Sequence, residues 1–202
     1  MLAWLLDRLT MARKLSGILV ATSDQPGDDA ISKFCAACGV TCFRGPLENV
    51  TERMLNAANS ANAEAFVRIS GDSPLSDPAL IDAVVGLFKT AGPDLATNVC
   101  PRTFPKGFSV EAIRVEALER ARTMLRPGEE EHVTQVFYRC PDNFKIANFA
   151  SGHDWGVVNM SIDTSEDFAL VERIIVAAKN RPVRCSVAEL LALRERCLKV
   201  PR

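Results

Sequence analysis

Apolar positions along this chain switch between two periods, and the switches mark the elements. Leu2, Leu5, Leu6 and Leu9 recur at helical spacing, so a helix is expected over residues 2–15, stopped by Ser16-Gly17. Residues 18–22 (ILVAT) form a continuous apolar run of strand length, which suits a strand buried on both faces. A helix over 28–38 ending at Gly39, a strand over 40–44 ending at Gly45-Pro46, and a helix over 50–61 follow. Residues 66–70 then read as a strand and 78–90 as a helix. Strand and helix alternating at this spacing predict βαβ units and a mainly parallel sheet covered by helices. The second half is less regular. Strands are expected over 94–99, 108–114, 144–149 and 157–162, and helices over 115–124, 129–138, 166–179 and 187–197. The Glu129-Glu130-Glu131 start of one of these suits the positive end of a helix dipole. No repeat or linker interrupts the pattern, so residues 1–202 are expected to form one α/β domain.

Two places in this pattern carry chemistry. The strand at 66–70 stops abruptly at Gly71-Asp72-Ser73-Pro74, because Pro74 cannot join a ladder and turns Ser73 away from helix. Asp72 therefore falls at the carboxyl end of a strand, where open α/β sheets bind ligands, and Gly71 lets a ligand approach the backbone. Asp163 is expected at the end of a second strand, just before a helix. Two strand-end carboxylates can converge on one edge of a sheet and offer a hard oxygen site for Mg²⁺ against phosphate oxygens. Local capping is the plainer role: Asp72 and Ser73 before the next helix, and Thr164-x-x-Asp167 as a capping box. The two roles are compatible.

Composition narrows the partners. Net charge is −1, from 24 Lys and Arg against 25 Asp and Glu, so no basic excess points to nucleic acid, and no apolar run approaches a membrane span. Seven cysteines in a chain of this size are not a disulfide scaffold. Cys35, Cys38 and Cys42 lack a second ligand pair at zinc-like spacing, so the thiols read as reduced and structural, and the compartment as cytoplasmic.

In order along the chain, Val20-Ala-Thr22, Phe43-Arg-Gly45, Arg68-Ile-Ser-Gly-Asp72-Ser-Pro74, Pro105-Lys-Gly107 with Glu111, Glu131-His-Val-Thr134 and Ile162-Asp-Thr-Ser-Glu-Asp167 make one arrangement of motifs. In it the chain resembles the spore coat polysaccharide biosynthesis protein F group of the cytidylyltransferases, relatives of the CMP-Kdo and CMP-sialic acid synthetases, over residues 1–178. The resemblance implies a nucleotide-diphospho-sugar transferase (Rossmann-like) fold. It also implies transfer of CMP from CTP to an acidic sugar with release of pyrophosphate, Mg²⁺ as cofactor, and a homodimer. It further implies that Asp72 and Asp163 hold the metal, that Thr22, Gly45, Arg53 and Gly71 line the nucleotide side, and that Asn98, Glu111 and His132 line the sugar side. A glycosyltransferase acting on a nucleotide sugar, or a non-catalytic homologue serving as a binding or partner subunit, are the alternatives.

The family in question starts with a strand and a glycine- and arginine-containing loop ending near a lysine. Met1-Leu-Ala-Trp4 matches the start of the helix after that loop. The expectation is either an upstream coding start or an N-terminally truncated remnant lacking the nucleotide grip and catalytically crippled. A sheet without that strand is expected to be marginal, or to close up by pairing strand 18–22 directly with strand 66–70.

Overall fold

The structure, a computed structural model, describes residues 1–179 and 185–199. Its strands are β1 (Leu19–Ser23), β2 (Thr41–Gly45), β3 (Ala65–Arg68), β4 (Leu95–Thr97), β5 (Glu111–Arg114) and β6 (Ile146–Asn148). Its helices are α1 (Leu2–Leu9), α2 (Asp29–Cys38), α3 (Val50–Ser60), α4 (Pro78–Ala91), α5 (Val115–Arg122), α6 (Gln135–Arg139), α7 (Ser165–Ala177) and α8 (Val187–Lys199). The α/β class is as expected. β1 pairs with β2 in parallel, and the other strands form a sheet in the order β3-β5-β4-β6. Within it β4 and β6 are parallel and β5 runs against both its neighbours, so β5 is the reversed strand of an otherwise co-directional sheet.

Strand alternation gives the four-stranded sheet its two faces. The cross-strand row Phe66, Ile113, Leu95 and Ile146 joins a core with Leu55, Leu118, Val136 and Phe137 from α3, α5 and α6. The adjacent row puts Val67, Ala112 and Ala96 into a second core with Leu5, Ile81, Val84, Ile174 and Leu190. The next row, Arg68, Glu111, Thr97 and Asn148, returns to the first face. There the apolar surface ends and a polar site begins.

Several expected elements differ. α1 stops at Leu9 instead of residue 15, because the Asp82 carboxylate accepts from the Arg13 and Lys14 amides and draws the chain out of the helix. The helix expected over 129–138 is only Gln135–Arg139. Glu129 lies before it and accepts from the Arg126 amide and Arg139, so it braces a turn instead of facing a helix dipole. Residues 157–162 form no strand. They are held by an isolated bridge from Lys106 to Asn159 and by the Ile162 amide donating to the Asp72 carbonyl at 2.9 Å. Asp163 therefore ends an irregular segment, not a strand. Gly107 permits the crossing at Lys106: its φ is +91°, and a Cβ there would meet the Met160 backbone at 2.6 Å. The direct pairing of strand 18–22 with strand 66–70 does not form. β1 pairs with β2 and β3 with β5, and no ladder joins the two sheets among the described residues.

One buried cation ties the second core together. Arg8 of α1 is fully buried and donates to the Ser76 carbonyl at 2.6 Å and to the Cys185 carbonyl at 3.0 Å. Burial pulls its pKa down and the nearby Asp77 carboxylate opposes that. Asp77 caps α4 through the Ala79 amide and accepts from the Val187 amide at the start of α8. Arg8→Met would remove the hydrogen bonds that Arg8 donates to the buried Ser76 carbonyl and the part-buried Cys185 carbonyl, at about 1–3 kcal/mol per buried group. Urea denaturation is expected to show a loss of about 3 kcal/mol or more; a loss below about 1 kcal/mol would contradict this role.

Candidate active site

Asp72 sits in the turn after β3. Its Oδ1 accepts from the Ser73 hydroxyl at 2.8 Å, and Ser73 and Ser76 close the turn onto the Ser70 and Ser73 carbonyls. Because the Ile162 amide bonds to the Asp72 carbonyl, Asp163 is brought beside this turn although it lies 91 positions further along the chain. Asp163 is exposed, its Oδ2 accepts from the Ser161 hydroxyl, and it precedes the Thr164–Asp167 capping box that starts α7. Capping thus falls to Thr164 and Asp167, which leaves Asp163 available. Asp72 Oδ2 and Asp163 Oδ1 have no partner among the described residues. No group of three or more His, Cys, Asp or Glu assembles among those residues. Two carboxylates completed by phosphate oxygens and water is the donor set Mg²⁺ takes, so these residues fit that ion. Gly71 beside them faces open space.

The polar row carries a second cluster. Glu111 is buried, and its carboxylate accepts from Arg68 Nη1, the Thr134 hydroxyl and the Tyr138 hydroxyl, each at 2.7 Å. Tyr138 also bonds to the Thr97 hydroxyl at 3.0 Å. A phenol has one hydrogen, and it goes to Glu111, so Thr97 donates to Tyr138. Burial first, then the Glu111 charge, raise the Tyr138 pKa, which keeps it a donor. Arg68, His132, Thr134, Gln135 and Tyr138 line a shallow pocket of about 400 Å³ in front of this carboxylate. Glu111 thus sits behind Thr134 and Tyr138, which line the same pocket as His132. Arg68 and Thr134 stand in motifs of the sequence, but they and Tyr138 are not expected from it as partners of Glu111, although period-two alternation puts Arg68 on the face of Phe66, and Tyr138 is the only tyrosine.

The remaining candidates are placed as follows. Asn98 is fully buried on the opposite face, its amide donating to the Phe108 carbonyl at 2.8 Å and accepting from the Val110 amide at 2.9 Å. Both ends of that side chain are engaged in leading the chain into β5. Arg53 donates to the Pro46 and Leu47 carbonyls, and its Nε is buried with no partner among the described residues. Gly45 packs on it closely: a Cβ there would lie 3.1 Å from Arg53 Cγ and 2.9 Å from the Phe43 ring. The N-terminal end of α3, where Arg53 lies, is tied to the His132 segment, since the Thr51 amide and hydroxyl both donate to the Glu130 carbonyl. Thr22 is buried, its hydroxyl donating to Asp28 at 2.8 Å while the Ser23 amide donates to the same oxygen at 2.9 Å.

Those bonds have a pH consequence. Hydrogen bonds from Ser23, then Thr22, hold the Asp28 carboxyl below the usual carboxylate range. A depressed folded pKa adds stability that is complete above the unfolded value of about 4 and disappears as pH falls through the folded one. Asp28→Asn is expected to be less stable than wild type at pH 7, with the gap narrowing as pH falls below about 4. Denaturant midpoints measured across that range check this; a gap that stays constant would contradict it.

The family profile described as cytidylyltransferase matches residues 1–172. An uncharacterized protein of Methanocaldococcus jannaschii is 34% identical over 169 residues, which cover 82% of this chain and 68% of that one. The spore coat polysaccharide biosynthesis protein SpsF of Bacillus subtilis is 25% identical over 187 residues, covering 89% of this chain and 75% of the relative. Among solved structures, a cytidylyltransferase from Leptospira borgpetersenii serovar Hardjo-bovis superposes with a TM-score of 0.89 at 26% identity, over 96% of this chain and 82% of that one. With the carboxylate pair and the polar row in place on that fold, the chain belongs to the cytidylyltransferase family.

Proposed function

We propose that this protein binds CTP with Mg²⁺ and transfers CMP to an acidic sugar, releasing pyrophosphate, in the synthesis of a surface polysaccharide. The observation that carries the reading is the hydrogen bond from the Ile162 amide to the Asp72 carbonyl, which draws Asp72 and Asp163 together at the end of β3. Bound between them, Mg²⁺ would neutralise phosphate charge as the phosphoryl group transfers. Around it, Gly71 leaves room for a nucleotide to approach the backbone, and the Glu111 cluster offers a polar wall for the sugar. The polysaccharide setting follows the relative from Bacillus subtilis. A cytoplasmic setting suits the free thiols of Cys35, Cys38, Cys42 and Cys100.

Calorimetry with CTP, in the presence and absence of Mg²⁺, tests the reading. Asp72→Asn keeps the shape of the side chain and removes its charge. The expected result is Mg²⁺-dependent CTP binding in wild type, weakened about tenfold or more in Asp72→Asn, as for loss of one charged contact. Equal Mg²⁺-dependent affinity in both proteins would contradict the assignment. Preference for a UDP-sugar over CTP would favour a glycosyltransferase instead.

A further inference from the structure

Among the described residues, Arg68 is the one cation that both pairs with Glu111 and faces the pocket. Its Nη1 is held by Glu111, while Nη2 and Nε have no partner among the described residues and its side chain remains 25% exposed. Glu111 itself lies beneath its three donors, with a side chain only 4% exposed, so it reaches the pocket through them. The surface a ligand meets therefore offers the open edge of the Arg68 guanidinium, a donor only, beside the exposed His132 ring and Gln135 amide, which can each donate or accept. Charge agrees with this. A second guanidinium, Arg102, lies within the field of Glu111 and Tyr138 and donates to the Ser109 hydroxyl, while burial opposes its charge. Two guanidiniums therefore act on the Glu111 carboxylate, and Glu129, in the segment before His132, is taken by Arg139. A partly buried guanidinium edge with two free N–H directions matches a carboxylate.

We propose that Arg68 receives the carboxylate of the sugar substrate and sets the preference for acidic over neutral sugars, with Glu111, Thr134 and Tyr138 as positioning residues that fix its guanidinium. This rests on the transferase reading above. The location suits it, because Arg68 and Asp72 are four residues apart, which spans at most about 14 Å of extended chain. The bound carboxylate would then lie near the two metal-holding side chains.

The test is an NMR titration, without nucleotide, of wild type, Arg68→Lys and Arg68→Gln. The probes are 3-deoxy-manno-octulosonate, N-acetylneuraminate and glucuronate, each beside its neutral methyl ester. Calorimetry with CTP and Mg²⁺ runs on the same three proteins. Wild type is expected to prefer at least one acid over its ester by about tenfold or more, the size of a charged hydrogen bond. Arg68→Lys should keep a smaller part of that preference, because an ammonium lacks the planar fork, and Arg68→Gln should lose it. CTP affinity should stay within about twofold across the three, since Arg68 is assigned to the sugar and not to the nucleotide. Acid and ester binding alike to wild type would overturn the proposal, and so would a preference that survives undiminished in Arg68→Gln. If Arg68→Gln fails to fold, an undiminished preference in Arg68→Lys overturns it equally. Absence of CTP binding in wild type would strike the transferase reading, while the acid-to-ester ratio still decides the role of Arg68.

Discussion

The buried Arg8 guanidinium is the constraint on which the arrangement of this molecule depends. A charge taken out of water is tolerated only where polar groups surround it, and here they come from two distant parts of the chain. Arg8 holds the Ser76 carbonyl of the turn before α4 and the Cys185 carbonyl before α8, with Asp77 nearby. Asp77 in turn caps α4 and accepts from the first residue of α8. The turn fastened this way is the one that begins at Ser70 and carries Asp72. A cation in the core thus fixes a carboxylate at the surface, through the backbone between them.

The second organising feature is the alternation of strand faces. Row by row across β3, β5, β4 and β6 the side chains change sides, so an apolar row on one face is followed, two residues on, by a polar row on the same face. At that step α6, which seals the apolar row through Val136 and Phe137, also brings the Thr134 and Tyr138 hydroxyls to Glu111. Ligands of open α/β sheets gather beyond the carboxyl ends of the strands, and β3 and β4 both end here. Reversed β5 enters the sheet at the same place, which is why its first residue, Glu111, rather than its last, faces the site.

Much of this was legible in the residues. The period of the apolar positions located α2, α3, α4, α5 and α7 to within a few residues, because each buries one face against a sheet. The abrupt end of the strand at Gly71–Pro74 marks a turn, and the segment leading into Asp163 does meet that turn through the Ile162 amide. What escaped detection depends on contacts between distant residues. Residues 157–162 are as apolar as a strand, yet their backbone finds Lys106 and Asp72 at two isolated points and no ladder. Glu129 looked like a helix start because three acids in a row suit a dipole, but Arg139 ten positions on claims it. Asn98 is polar beside a strand end, as a ligand contact would be, and the fold turns it inward to hold the Phe108 carbonyl and the Val110 amide. The pairing of Arg68 with Glu111 depends on strand order, which local pattern does not encode.

The central claim is that Asp72 and Asp163, joined through the Ile162 amide, share one cation on the phosphates of a cytidine nucleotide. The most direct measurement is anomalous scattering from crystals grown with CTP and Mn²⁺ in place of Mg²⁺. The account predicts a single strong peak within bonding distance of both carboxylates and of a phosphate oxygen of CTP. Density for CTP with the peak away from Asp72 and Asp163 would contradict it.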